Sequence, residues 1–102
     1  MEERPEASVA IQVLPQVEGD DEVVRVVDEV IAYIKSKGLN TYVGPFETTV
    51  EGDYDTLMEI VKECQLICVR EGAPKVSTYV KIWYNPSGGV MSIEKKTAKH
   101  HQ

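Results

Sequence analysis

The residues of this chain with chemistry to offer crowd into one stretch, Gly44-Pro45-Phe46-Glu47-Thr48-Thr49-Val50-Glu51-Gly52-Asp53. Two adjacent hydroxyls, Thr48 and Thr49, are flanked by two carboxylates, Glu47 and Glu51. Turn signals bound the stretch, Gly-Pro before it and Gly-Asp after it, and the run rich in Thr and Val between them reads as a strand. A strand this polar at the centre of a small chain fits either a solvated sheet face or a small-molecule site.

Reactive groups elsewhere are sparse. Glu47 and Glu51 fall on one strand face, about 13 Å apart along it, too far to work as a pair on one bond. The histidines, His100 and His101, close the chain and are assigned no role. They leave no Ser/His/Asp or Cys/His arrangement in its body. Gly88-Gly89 alone does not make a phosphate loop. Cys64 and Cys68 stand at i and i+4 in a helical pattern without a His or Cys cluster, so they read as buried structural thiols rather than a zinc site. No metal, no cofactor and no enzymatic activity are expected.

The elements that must position the central stretch follow from periodicity. Residues 1–7 are expected to be flexible, as are 97–102. Ser8 to Leu14 alternates, with Val9, Ile11 and Val13 on one face and Ala10, Gln12 and Leu14 on the other; Pro15 ends the strand. Asp20 is the expected N-cap of a helix from Glu22 to Lys37, whose apolar stripe is Val23, Val26, Val27, Val30, Ile31 and Ile34. Gly38 stops it. Leu39 to Val43 and Glu47 to Glu51 are the next strands, joined by a turn or bulge at Gly44-Pro45. Asp53 caps a second helix with Leu57, Ile60, Val61, Cys64, Ile67 and Cys68 on one face, ending near Gly72. A fourth strand spans Lys75 to Tyr84, with Val76, Thr78, Val80, Ile82 and Tyr84 on one face and Ser77, Tyr79, Lys81 and Trp83 on the other. Ser92 caps a short terminal helix through Lys99.

The order β-α-β-β-α-β predicts an α+β, ferredoxin-like fold in one domain, 1–102: a four-stranded antiparallel sheet with both main helices on one face. The other face, with Ala10, Gln12, Leu14, Glu47, Thr49, Glu51, Tyr79, Lys81 and Trp83, is then uncovered. Leu14, Tyr79 and Trp83 are too apolar for a merely wet surface and predict self-association through this face or the sheet edges.

Size and charge narrow the function. A chain of 102 residues, 42% hydrophobic and 27% charged, suits one globular domain. No apolar run approaches the roughly 18–20 residues that span a bilayer, and the acidic N-terminus is no signal peptide, so a cytoplasmic protein without a membrane partner is expected. The formal net charge is −6, which disfavours nucleic acid. RNA-recognition domains of this topology stack bases on strand aromatics that the third strand lacks. Acylphosphatases of this topology need an Arg in the loop after the first strand, and residues 15–21 contain no cation.

Three pieces of sequence carry a family resemblance. They are Val9-Ala10-Ile11-Gln12-Val13-Leu14-Pro15, then Tyr42-Val43-Gly44-Pro45 leading to Thr48-Thr49-Val50-Glu51-Gly52-Asp53, and Gly88-Gly89 with Ser92-Ile93-Glu94-Lys95-Lys96. Together they resemble the small thiamine-binding protein family, also called domain of unknown function 77 or uncharacterised protein family 0045 (UPF0045). The resemblance covers nearly the whole chain and implies a ferredoxin-like subunit, assembly into dimers or tetramers, and non-catalytic binding of thiamine or its hydroxymethylpyrimidine part. Several members end the fourth strand in an Ile-Asp-Asp type sequence where this chain has Ile82-Trp83-Tyr84-Asn85.

With thiamine as the implied ligand, Glu47 or Glu51 would face the cationic thiazolium. Tyr79 or Trp83 would stack on its rings, and Gln12 with Thr48 or Thr49 would bond the aminopyrimidine edge. Strict alternation puts Thr48 and Thr49 on opposite sheet faces. Either a bulge re-aims one of them or the ligand lies between helix and sheet. Trp83 also suits an interface. The competing class is a structural or regulatory homo-oligomer with no thiamine ligand.

Overall fold

A computed structural model describes residues 4–100. The chain runs β1 (Ala7–Pro15), α1 (Asp20–Ser36), β2 (Asn40–Val43), β3 (Thr48–Gly52), α2 (Tyr54–Arg70), β4 (Val76–Tyr84), α3 (Ile93–Thr97) and a 3-10 turn (Ala98–His100). The sheet order is β2-β3-β1-β4 with every neighbouring pair antiparallel. This is the ferredoxin-like arrangement.

Register follows the hydrophobic alternation. Val9 sits between Val50 of β3 and Ile82 of β4, and Ile11 between Thr48 and Val80, on the helix-facing side. Ala10 sits between Thr49 and Lys81, and Ser8 between Glu51 and Trp83, on the other side. A slip of one residue would exchange the two sets. The core joins Val9, Ile11, Val13 and Val50 to Val26, Val30 and Ile34 of α1 and to Leu57, Ile60, Cys64, Ile67 and Cys68 of α2. Both cysteines are buried free thiols.

The α1 stripe divides in two. Val26, Val30 and Ile34 are buried in the core, whereas Val23, Val27 and Ile31, on the adjoining row, remain half-buried. The expected Asp20 cap is displaced by one residue: Gly19, at φ 86°, is the N-cap, with no side-chain bond. Asp20, Asp21 and Glu22 instead occupy the first turn, where the helix dipole favours them. The other expected caps are present, Asp53 accepting from the Thr56 N–H at 3.0 Å and Ser92 from the Lys95 N–H at 3.1 Å. Gly44-Pro45 makes a turn rather than a bulge. The Gly44 N–H donates to the Glu47 carbonyl at 2.9 Å, so β3 starts at Thr48 instead of Glu47. A Cβ on Gly44 would lie 3.0 Å from that carbonyl, which favours glycine here.

Three further expectations change. Residues 4–7 are not loose: Ala7 is fully buried in β1, the Val90 N–H donates to the Pro5 carbonyl, and the Glu6 carboxylate accepts from the Tyr54 N–H. Gly89, at φ 73°, permits that contact, since a Cβ there would meet Arg4 at 2.6 Å. Residues 1–3, 101 and 102, which belong to the segments expected to be flexible, lie outside the described residues, as does His101 with them. The sheet face opposite the main helices is not fully open either, because α3 folds back across β2 and β3. Finally, the main helices cover the far end of β4 only in part, with Ile82 and Tyr84 about half exposed on the helix side although the Tyr84 ring meets Tyr54 at the start of α2, centroids 4.4 Å apart.

Candidate functional site

The half-buried row of α1, of which Val27 also packs against the core, walls a groove of about 310 Å³ together with Val30 and Ile34. Val23, Val27 and Ile31 of α1 face Ile11 and Val13 of β1, and the turn Gly44-Pro45-Phe46-Glu47 with Thr48 closes one side. The Phe46 side chain is 79% exposed, an apolar lip with no packing role in the core. Polar groups are few: Gln12, Asp28, Glu47 and Thr48. Thr48 is buried, because its place opposite Ile11 and Val43 turns it toward the helices. Asp28 is exposed, one residue past Val27 on the outer side of α1. Among the described residues, no Lys, Arg or His lines the groove. An apolar cavity with a few convergent polar groups is the usual form of a small-molecule site.

A second cleft of about 260 Å³ lies on the opposite face of the sheet, lined by Ser8, Ala10, Glu47, Thr49, Lys81, Trp83 and Lys96 among others. Its charge is different. Lys81 pairs with Glu47 at 3.2 Å, and the Lys96 ammonium stands 5.4 Å from the Trp83 ring centre. That stacking position is thus already taken by a protein cation.

The sequence-predicted residues therefore divide between two faces. Gln12 and Thr48 line the groove, Thr49 and Trp83 line the cleft, and Glu47, at the strand end, borders both. Tyr79 lies on the face opposite the main helices, 64% exposed, beside Gln12 and outside both cavities. Glu51 is engaged elsewhere. One carboxylate oxygen accepts from the Asn40 side chain at 2.6 Å and the other from the Ile93 N–H at 2.9 Å. Asn40 also donates to Glu94 at 2.8 Å. Buried to 7% exposure, Glu51 clamps α3 to the sheet.

Asp28, Phe46 and the Val23/Val27/Ile31 row are groove residues that the motif did not mark. Val23, Val27 and Ile31 belong to the apolar stripe the sequence shows, but six positions over three turns is an ordinary core-facing stripe, so nothing in the periodicity separated groove from core. Among the described residues, no group of three or more His, Cys, Asp and Glu is placed to hold a metal, and no helix is long and apolar enough to cross a membrane.

Comparison with known proteins bears on this geometry. Residues 9–101 match the family model described as "Thiamine-binding protein". A UPF0045 protein of Clostridium perfringens is 47% identical over 93 residues, covering 91% of this chain and 95% of that protein. A domain of unknown function DUF77 from Bacillus cereus superposes with a TM-score of 0.82 at 40% identity, covering 92% of this chain and 88% of that one. A protein of Thermotoga maritima, provisionally assigned to thiamine biosynthesis or salvage, superposes with a TM-score of 0.81 at 36% identity, covering 92% and 97%. On the extent of these matches, the chain belongs to the thiamine-binding protein family, DUF77/UPF0045.

Proposed function

We propose that this protein binds thiamine, or its hydroxymethylpyrimidine part, in the groove between α1 and the β2–β3 turn, and releases it unchanged. The observation that carries this reading is the groove itself. At about 310 Å³ it is at the small end of ligand sites, a size for one or two heteroaromatic rings rather than a large cofactor. Apolar walls suit the ring faces. The Thr48 hydroxyl can pair with the donor or acceptor edge of an aminopyrimidine, and Gln12, whose side chain belongs to the opposite sheet face, borders the groove where β1 runs past the end of β3. The carboxylates suit a cation, whereas Lys81 and Lys96 make the opposite cleft a poor place for one.

Among the described residues the lining includes no Cys, His, Lys or Ser, so the Ser–His and Cys–His pairings of nucleophilic catalysis are not formed there. This supports binding over catalysis. The reading includes a homodimer or homotetramer, since Leu14, Tyr79, Ile82, Trp83 and Tyr84 are exposed along and around β4. Two free thiols are compatible with a reducing cytoplasm.

A thermal-shift titration tests the reading. Thiamine and hydroxymethylpyrimidine should raise the melting temperature dose-dependently, by roughly 2.7 kcal/mol of stabilisation at 100 times the dissociation constant. Thr48→Val, which keeps the shape and removes the hydroxyl, should weaken both ligands by about fivefold. A flat response to both ligands would leave the alternative, a structural homo-oligomer without this ligand.

A further inference from the structure

Thiamine carries a positive ring, and the groove has two carboxylates that are not equivalent. Glu47 is already paired with Lys81 at 3.2 Å. Asp28 has no ion pair among the described residues. Arg25, three residues earlier on the same helix, is the nearby cation that would otherwise neutralise it. Its guanidinium is drawn away instead, by Glu22 at 2.8 Å and by both the carboxylate and the carbonyl of Glu71 at 2.8 Å. The groove therefore presents one uncompensated negative charge, at its exposed edge, beside the apolar row that would contact a ring.

We infer that Asp28 recognises the cationic ring and makes the groove select thiamine over its phosphate esters; this rests on the reading of the groove as the thiamine site. A phosphate ester adds roughly 1.5–2 negative charges. Phosphate sites supply Arg, Lys or several free backbone N–H groups. Here no basic residue among those described lines the groove, the Gly44 N–H is donated to the Glu47 carbonyl, and the first turn of α1 adds Asp20, Asp21 and Glu22. Asp28 lies on none of the motifs that mark the family in this sequence.

Calorimetric titration of the full chain with thiamine, thiamine monophosphate and neutral hydroxymethylpyrimidine tests this. Thiamine should bind at least about tenfold tighter than the monophosphate, and Asp28→Asn should weaken thiamine about tenfold, a near-surface charge contact. The same variant should leave hydroxymethylpyrimidine unchanged. Asp28→Lys should narrow or reverse the preference between thiamine and its ester. Equal affinity for ester and thiamine, or an equal loss of thiamine and hydroxymethylpyrimidine in Asp28→Asn, overturns the inference while leaving the groove as the site. Absence of binding by all three overturns the thiamine reading itself. Tighter binding of the ester, lost in Lys96→Gln, would move the site to the opposite cleft and overturn both.

Discussion

Thr48 and Thr49 are neighbours in sequence and strangers in space. The pleat sends Thr48 into the groove under α1 and Thr49 to the opposite cleft. That separation was legible from alternation alone; which of the two cavities suits the proposed ligand was not, because Asp28 stands on a helix and carries no motif. Glu51 illustrates the converse. Its place in the Thr-Thr-Val-Glu-Gly run makes it look like a ligand residue, yet one oxygen accepts from the Ile93 N–H of α3 and the other from Asn40 of β2. Sequence could not show this, because a local pattern does not say where a segment forty residues later returns. Cys64 behaves as its helical spacing predicts. Burial, reinforced by Cys68 and Glu63, pushes its thiol from an ordinary value near 9 up to about 12. The folded state keeps a proton that the unfolded chain gives up above about pH 9. Stability attributable to this site should be constant below pH 9 and fall as pH rises from about 9 to 12. Urea midpoints across that range should therefore decline more steeply in the parent than in Cys64→Ala. Equal slopes would contradict the assignment.

At the scale of elements, α1 has two jobs. Its Val26, Val30 and Ile34 row closes the core, and its Val23, Val27 and Ile31 row walls the groove. The periodicity exposed both rows without distinguishing them, since a helical wheel shows width and not what faces it. The short helix α3 was visible through its Ser92 cap, but its docking on the sheet was not. The Glu51 clamp gives that docking a test. Glu51→Ala removes the acceptor for the Ile93 N–H and for Asn40, at a cost of about 1–3 kcal/mol. Hydrogen exchange should accelerate across 93–97 while the β1–β3 ladder stays protected. Unchanged protection in α3 would mean that apolar packing of Ile93, not the carboxylate, holds it.

For the whole molecule, the exposed edge matters most. β4 shows Ile82 and Tyr84 on the helix side and Tyr79 and Trp83 on the other, each between 47% and 64% exposed. An edge strand apolar on both faces invites pairing with another chain. Sedimentation should find dimers or tetramers at micromolar concentration, and Ile82→Lys with Trp83→Lys should shift them toward monomers while sparing thiamine binding. A parent chain that sediments as a monomer at tens of micromolar would contradict this. Sequence pointed to the open face or the sheet edges for association; the outermost place of β4 in the order β2-β3-β1-β4 makes it one of those edges, with Ile82 and Tyr84 exposed on its helix side.

The measurement that tests the central claim most directly is an amide chemical-shift titration of the ¹⁵N-labelled chain with thiamine. The largest perturbations should fall on Ile11 to Leu14, on Val23 to Ile34 and on the turn from Gly44 to Thr48. Perturbations centred instead on Ser8, Thr49, Lys81 and Trp83, or none at saturating ligand, would contradict the groove as the site.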